Sequence, residues 1–246
     1  MSIKGPDDVA GLKKIGKIVA DTLRLMKSSA RDGMSTLELD RIGRAFFEQF
    51  GAKSAPEISY NFPGATCISV NDEIAHGIPG KRLLRKGDLV NIDVSLELDG
   101  YFADTGSSFC LEKTEGPLAD LCEASHEILL KALRLKAGNL LNRMGRIIET
   151  EAKKLGYLTI KNLTGHGVGR ALHEEPFDLL NYYEPADRRL AKSGMVIAVE
   201  TFISTGAQRA IQQADGWTLK TPDGSYVAQH EHTIIVTDQN PIFVSV

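Results

Sequence analysis

The segment KGDLVNIDVSLELDGYFADTGSSFC, residues 86–110, combines two apolar strand patterns with an aspartate inside each of them. Residues 89–98 supply aliphatic and β-branched side chains to both faces of a strand, and Asp99-Gly100 is a typical two-residue hairpin turn. The pattern therefore predicts a β-hairpin with Asp93 on its first strand and Asp104 on its second.

Asp93 and Asp104 are expected to lie nearly opposite one another if a β-bulge absorbs the difference in their distances from the turn. Two carboxylates that close repel each other, so one must be protonated or a cation must lie between them. The alternative is that each aspartate is an edge charge or binds a nearby loop, because isolated carboxylates are rarely buried.

Composition indicates an ordinary soluble globular protein. The chain has 246 residues, 42% hydrophobic and 25% charged, with a formal net charge of −3. No charge block indicates nucleic-acid or membrane binding, and we find neither a secretory signal nor an apolar run long enough to span a membrane. Three unpatterned cysteines argue against a disulfide framework and a cysteine zinc site. We expect a cytoplasmic protein.

Helical periodicity appears on both sides of the hairpin. Apolar spacing predicts helices over residues 7–31 and 35–51, and then from Pro117 to about residue 135 and over 139–155. In the second helix Ser35 and Glu38 have the spacing of a capping box, and one face is expected to carry Leu39, Ile42, Phe46 and Phe50. Residues 54–80 read as extended and loop-rich, with a short strand at 67–70.

An internal repeat accompanies this order of elements. Residues 40–44 (DRIGR) recur as residues 142–146 (NRMGR), and KGDLVNID at 86–93 aligns with SGMVIAVE at 193–200, each ending in an acid. The alternative is chance similarity between amphipathic helices. The repeat predicts an α+β fold of two similar halves, about 7–112 and 117–240, in a single catalytic domain spanning 1–246.

The second half contains the polar residues that a metal site would need. His166 lies between glycines in GHGVGR, His173 follows in HEEP, and Glu200 and Glu231 lie in apolar strand patterns. Singly, each of these residues could be a surface charge or a hydrogen-bonded group. Asp93, Asp104, Glu200 and Glu231 with the His166 imidazole would form an oxygen-rich site. Such a site suits harder divalent cations such as Mn, Fe(II) or Co(II), and it is less selective for Zn. Four carboxylates fit two ions, roughly 3 to 4 Å apart, better than one.

Several segments resemble, in order and spacing, those of type I methionine aminopeptidases. They are HGIP at 76–79, NIDV at 91–94, DT at 104–105, GHGVGR at 165–170, HEEP at 173–176 and EHT at 231–233. The resemblance covers essentially the whole chain. It implies the pita-bread metallopeptidase fold, in which two pseudo-twofold-related α+β halves share a central, curved antiparallel sheet with outer helices.

The resemblance also implies roles for individual residues. Asp93 would chelate a first metal, Asp104 and Glu231 would bridge two metals, and His166 and Glu200 would bind the second. A metal-bound hydroxide would attack the scissile carbonyl, with Glu200 as proton shuttle. His173 would stabilise the oxyanion, and His76 would position the substrate. The cofactors would be two divalent ions of Co, Mn, Fe or Zn.

Four further residues fall where the family builds its methionine pocket: Phe62, Cys67, Leu172 and Trp217. An apolar, polarizable lining suits a thioether side chain. The alternative for these four residues is ordinary core packing.

The implied activity is removal of the initiator methionine from nascent proteins and peptides with a small second residue. The expected partners are those N termini and, transiently, the ribosome, with no nucleic acid or membrane, and the enzyme is expected to be a monomer. The short His173–Glu200 spacing and an amino terminus without a zinc extension indicate the short bacterial form.

Two residues depart from the family pattern. Thr201 stands where proline is common, and Ala75 stands where many members have cysteine. Neither residue is a predicted ligand, although the local backbone and the metal preference could differ.

Two other functions stay open at this point. One is a proline-specific aminopeptidase or prolidase on the same fold, although those enzymes usually carry a large additional amino-terminal domain. The other is a non-catalytic pita-bread binding module.

Overall fold

The computed structural model describes residues 1–246 as five α-helices and thirteen strands. The helices are α1 (Pro6–Ser29), α2 (Thr36–Phe47), α3 (Ala55–Tyr60), α4 (Pro117–Ala132) and α5 (Asn142–Lys154). The strands are β1 (Lys53–Ser54), β2 (Cys67–Val70), β3 (Glu73–Ala75), β4 (Leu89–Leu98), β5 (Tyr101–Cys110), β6 (Leu158–Thr159), β7 (Thr164–Gly167), β8 (Glu174–Leu180), β9 (Val196–Ser204), β10 (Ile211–Gln212), β11 (Leu219–Lys220), β12 (Val227–Ile235) and β13 (Ile242–Phe243). No helix combines the length and the hydrophobicity needed to span a bilayer.

A ten-stranded antiparallel sheet forms the centre of the molecule. Its main path runs β1-β4-β5-β12-β9-β7-β8, and β2, β13 and β6 pair with β4, β12 and β9. The hairpin β4–β5 comes from the first part of the chain, and β9 and β12 come from the second. They join where β5 pairs with β12, so that both parts contribute to one continuous sheet. The predicted α+β class is confirmed.

The long helices form a second layer. Helices α1 and α2 enclose one hydrophobic core with β4 and β5, and α4 and α5 enclose another with β9 and β12. The N terminus of α2 has the predicted capping box, because the Ser35 hydroxyl accepts a hydrogen bond from the Glu38 amide and the Glu38 carboxylate accepts one from the Ser35 amide.

Three details differ from the sequence predictions. The β4–β5 ladder has no bulge: Asp93 pairs with Gly106 and Ser95 pairs with Asp104, so the two aspartates are diagonal neighbours on one face. Phe46 and Phe50, expected on one apolar face, contact each other edge-on near the surface, and Phe50 lies in the 3₁₀ turn after α2; the buried aromatic residue of α2 is Phe47. Residues 55–60, expected to be loop, form the short helix α3.

Candidate active site

One row of residues crosses five strands of the sheet. Cys67 pairs with Asp93, Asp93 with Gly106, Gly106 with Glu231, and Glu231 with Glu200. Because paired residues of neighbouring strands point to the same face, three carboxylates from β4, β12 and β9 face the same side. The sheet register alone therefore concentrates negative charge from distant parts of the chain.

Gly106 leaves space in the middle of this row. A Cβ atom at this position would collide with the side-chain amide of Gln229. Gln229 Nε2 donates a hydrogen bond to Glu231 Oε2 at 3.1 Å, and Asn91 Nδ2 donates one to Gln229 Oε1 at 2.8 Å. The absence of a side chain at Gly106 thus makes room for the hydrogen-bonded side-chain amides of Asn91 and Gln229, and the Gln229 amide holds one oxygen of the Glu231 carboxylate.

Asp104 is held from two sides. Ser95 Oγ donates to Asp104 Oδ1 at 2.7 Å, and the Asp104 amide donates to Thr233 Oγ1 at 2.9 Å. The side chain is 6% exposed, and its other oxygen, Oδ2, lies 3.7 Å from His166 Nε2. One carboxylate oxygen is therefore fixed by a hydroxyl, and the second is directed at the imidazole.

His166 presents an unprotonated nitrogen to the carboxylates. Its Nδ1 lies 3.0 Å from the Gly167 carbonyl oxygen, which can only accept, so Nδ1 carries the proton. Nε2 then has a free lone pair 4.0 Å from Glu231 Oε1. Loss of hydration lowers the pKa of His166 to about 4, which keeps this lone pair available at neutral pH.

The clustered acids have raised pKa values. Burial is the main cause for the Asp93, Glu200 and Glu231 carboxyls, and the neighbouring Asp104 charge raises each pKa further. Burial also raises the pKa of Asp104, although the Ser95 hydroxyl opposes the shift. In the metal-free protein these acids therefore resist full ionisation.

Two further histidines face the same space. His76 has a left-handed backbone conformation with φ of 54°, an uncommon conformation for a residue other than glycine. The His173 ring centroid lies 4.0 Å from that of His166. Loss of hydration lowers the pKa of both His76 and His173, to about 4 in His173, where the neighbouring His166 adds to the shift.

A cavity of about 390 Å³ opens over this group, within the size range of ligand sites. Its apolar part includes Phe62 and Trp217, whose rings meet edge to face at 5.2 Å. Cys67 and Leu172 also line it and are 6% and 3% exposed. The cavity thus joins an apolar compartment to the cluster of carboxylates.

The donor set suits divalent cations. Asp104, His166 and Glu231 each offer a ligand atom, and these atoms lie within 4.8 Å of one another. Asp93 Oδ1 and Glu231 Oε1 are buried and have no hydrogen-bond partner. Buried carboxylate oxygens without partners are costly unless a cation or proton compensates them, so these orphaned atoms fit a metal centre.

All eleven residues predicted for the site line this one cavity: Phe62, Cys67, His76, Asp93, Asp104, His166, Leu172, His173, Glu200, Trp217 and Glu231. The sequence reasoning missed Tyr60, Ser95 and Gln229, which contact predicted residues. Ser95 shares a strand face with Asp93 through the two-residue period, and Gln229 shares one with Glu231, so this signal was present. Tyr60 was missed together with α3.

The two departures from the family pattern lie beside the site. Thr201 is fully buried, and its hydroxyl lies 2.8 Å from Ser125 Oγ, which ties β9 to α4. Ala75 pairs with Leu219 in the small sheet β10-β11-β3 and lines the cavity next to His76.

Comparisons with known proteins agree with this geometry. A family model described as metallopeptidase family M24 matches residues 10–238. Methionine aminopeptidase 2 of Bacillus subtilis is 51% identical over 247 positions, covering 100% of this chain and 99% of the relative. A crystal structure of methionine aminopeptidase from Thermotoga maritima superposes with a TM-score of 0.95 at 32% identity, covering 100% of this chain and 99% of that chain.

A prolidase from Pyrococcus furiosus has the same fold, with a TM-score of 0.79. It is 20% identical and covers 99% of this chain, which spans 65% of the prolidase. At this identity the likeness concerns the fold alone. The structural neighbours confirm the predicted pita-bread fold.

Proposed function

The chain belongs to metallopeptidase family M24, and we propose that it is a metal-dependent aminopeptidase that removes the N-terminal methionine of peptides and nascent proteins with a small second residue. The observation that carries this proposal is the junction of an apolar compartment with a buried carboxylate and imidazole cluster in one cavity. The similarity to named methionine aminopeptidases over the full chain supports the same function.

We assign the divalent metal to the cluster. Asp93, Asp104, Glu200, Glu231 and His166 would hold two ions, because four carboxylates exceed the charge of one. Oxygen donors with one imidazole leave Co, Mn, Fe and Zn open as the physiological metal. When bound, the ions would supply Lewis acidity that activates a water and polarises the scissile carbonyl.

The protein groups perform the remaining steps. Glu200, which lines the cavity beside the other carboxylates, would take a proton from the attacking water and return it to the leaving amine. His173 would donate a hydrogen bond to the developing oxyanion, and His76 would position the scissile amide. Preorganised donors of this kind stabilise the charge that develops in the transition state.

Selectivity for methionine follows from the apolar compartment. Phe62, Cys67, Leu172 and Trp217 offer aromatic, aliphatic and sulfur surfaces, against which a flexible thioether packs well. The carboxylates next to this compartment would bind a free α-amino group, directly or through the metals. This arrangement favours cleavage after the first residue only.

Substrate choice tests the proposal. The metal-loaded protein should release methionine from Met-Ala-Ser and leave an Ala-Pro peptide intact. Preferential cleavage of Ala-Pro would instead assign the chain to the proline-specific enzymes of this fold. Absence of turnover in a folded protein that binds no metal would favour a binding module.

The metal question needs a separate experiment. Metal-free protein reconstituted anaerobically with each ion, followed by turnover measurements and metal analysis, would identify the activating metal and test the proposed ratio of two ions per chain. The cytoplasmic location, the monomeric state and the transient ribosome contact stay predictions.

A further inference from the structure

Tyr60 makes a contact in the cavity that the function proposed above does not use. It is the last residue of α3, and its hydroxyl lies 2.8 Å from His173 Nδ1. The two rings are tilted, with centroids 5.6 Å apart. Both residues line the cavity, so this hydrogen bond forms at the site itself.

The local sequence fixes the position of Tyr60. Ser54 caps α3 by accepting a hydrogen bond from the Glu57 amide, and Pro56 lies in the first turn, where it is compatible with a helix. Asn61 then ends the helix in a left-handed conformation, with φ of 57°. A capped start and a defined end fix the backbone of Tyr60 at the cavity wall, and the hydrogen bond to His173 orients its side chain.

The hydrogen bond distinguishes the two nitrogens of His173. A neutral imidazole has one protonated and one unprotonated nitrogen, and a phenol O–H is a better donor than an imidazole N–H. The hydroxyl therefore donates to Nδ1, which leaves the proton on Nε2. Only this tautomer lets Nε2 donate a hydrogen bond to a substrate oxygen.

We propose that Tyr60 is a positioning residue, whose hydroxyl fixes the Nε2–H tautomer and the ring orientation of His173 for hydrogen bonding to the scissile carbonyl. The inference rests on the function proposed above for its catalytic consequence. The tautomer itself follows from the contact between the two side chains and can be measured separately.

Nuclear magnetic resonance tests the tautomer in metal-free protein. The six histidines give a small set of imidazole 15N signals, and His173→Gln assigns the one of interest. We expect a protonated Nε2 and an unprotonated, hydrogen-bonded Nδ1, whose resonance moves downfield in Tyr60→Phe. A protonated Nδ1 in the unmodified protein, or an Nδ1 resonance that Tyr60→Phe does not move, would overturn the proposal.

Kinetics test the consequence. Tyr60→Phe keeps the ring and should lower kcat about tenfold while KM for Met-Ala-Ser changes less than about twofold, on the scale of one lost hydrogen bond. Tyr183→Phe is the matched control, because its side chain is exposed and its hydroxyl makes no hydrogen bond to another group of the protein. It should leave both constants unchanged.

A double variant separates positioning from general disturbance. In a His173→Ala background, Tyr60→Phe should cause no further loss, because the group that it positions is gone. Equal losses in both backgrounds would contradict the proposal. If the unmodified protein does not cleave methionine peptides, the function fails and the 15N measurement still decides the tautomer.

Discussion

Asp104 and Glu231 are buried carboxylates, and one oxygen of each, Asp104 Oδ2 and Glu231 Oε1, faces His166 Nε2. As whole residues they are 4% and 2% exposed, and each has one carboxylate oxygen held by a neutral side chain, the Ser95 hydroxyl or the Gln229 amide. The neutral donors orient the carboxylates without cancelling their charge. Burial of two such carboxylates costs free energy when their charge is not compensated, and bound cations would remove that cost.

We predict that Asp104→Asn abolishes turnover of Met-Ala-Ser without unfolding the protein. The asparagine oxygen can still accept the Ser95 hydrogen bond, and removal of one charge relieves repulsion among the acids. Circular dichroism, metal content and turnover measure the three effects. Asp99→Asn, in the exposed hairpin turn, should leave turnover unchanged. Full turnover with two bound ions in Asp104→Asn would refute the bridging role.

The raised carboxyl pKa values predict that metal binding releases protons. In metal-free protein Asp93, Glu200 and Glu231 retain protons above their ordinary range, and these protons must leave before the oxygens bind a cation. His166, with a pKa of about 4, contributes none near pH 7. Metal affinity should therefore continue to rise with pH above the range in which ordinary carboxyl groups lose their protons.

Titration calorimetry in two buffers of different ionisation enthalpy measures this release. The observed heats should differ between the buffers by the number of protons released multiplied by the difference between the two ionisation enthalpies. Asp93→Asn should reduce that number. Equal heats in both buffers would show that the acids are already ionised.

Strand β5 shows how one element serves both the sheet and the site. It carries Asp104 toward the cavity and places Gly106 between Asp93 and Glu231 in the strand row. A strand interior is an unfavourable place for glycine, so its presence here marks a close approach of another group. That group is the Gln229 amide.

Gly106→Ala should therefore displace Gln229 and weaken its hydrogen bonds to Glu231 and Asn91. We expect a loss of about 1 to 3 kcal/mol in the free energy of unfolding, together with reduced turnover. Denaturant titration and kinetics with Met-Ala-Ser provide the measurements. Gly5→Ala is the control, since its Cβ meets nothing within 4 Å. A fully stable and active Gly106→Ala would show that Gln229 does not position Glu231.

The sequence predicted this hairpin and missed its register for a physical reason. The turn Asp99-Gly100 and the two-residue period specify strands and faces, so both aspartates were placed on the correct elements. Whether a bulge intervenes depends on the cross-strand partners, which the period does not specify. Helix α3 was missed because six residues are too few to show helical periodicity, although Ser54, Pro56 and Glu57 carry a start signal.

The site exists because β5 pairs with β12, which joins the two parts of the chain into one sheet. This contact joins residues more than a hundred positions apart in the chain, and hydrophobic periodicity says nothing about such pairings. The internal repeat and the family resemblance predict that the acids converge. The strand period also places Ser95 and Gln229 on the same face as the acids, but their hydrogen bonds to Asp104 and Glu231 depend on the pairing of the strands. The division into halves at 7–112 and 117–240 remains a prediction, supported by the matching positions of β1 and β2 beside β4 and of β6 and β7 beside β9.

Because the sheet is continuous and the site lies where β5 pairs with β12, we predict that the chain unfolds as one unit. Trp217 is the only tryptophan and lies at the cavity, so its fluorescence reports the site, while far-ultraviolet circular dichroism reports all helices and strands. The two thermal transitions should coincide in metal-free protein and should rise together when Mn²⁺ or Co²⁺ is added, since an ion that binds only the folded state stabilises the whole cooperative unit. Heating at a fixed scan rate with both probes provides the measurement. Fluorescence that changes well below the dichroism transition would show that the cavity opens independently, and the site would then depend on local order rather than on the pairing of β5 with β12.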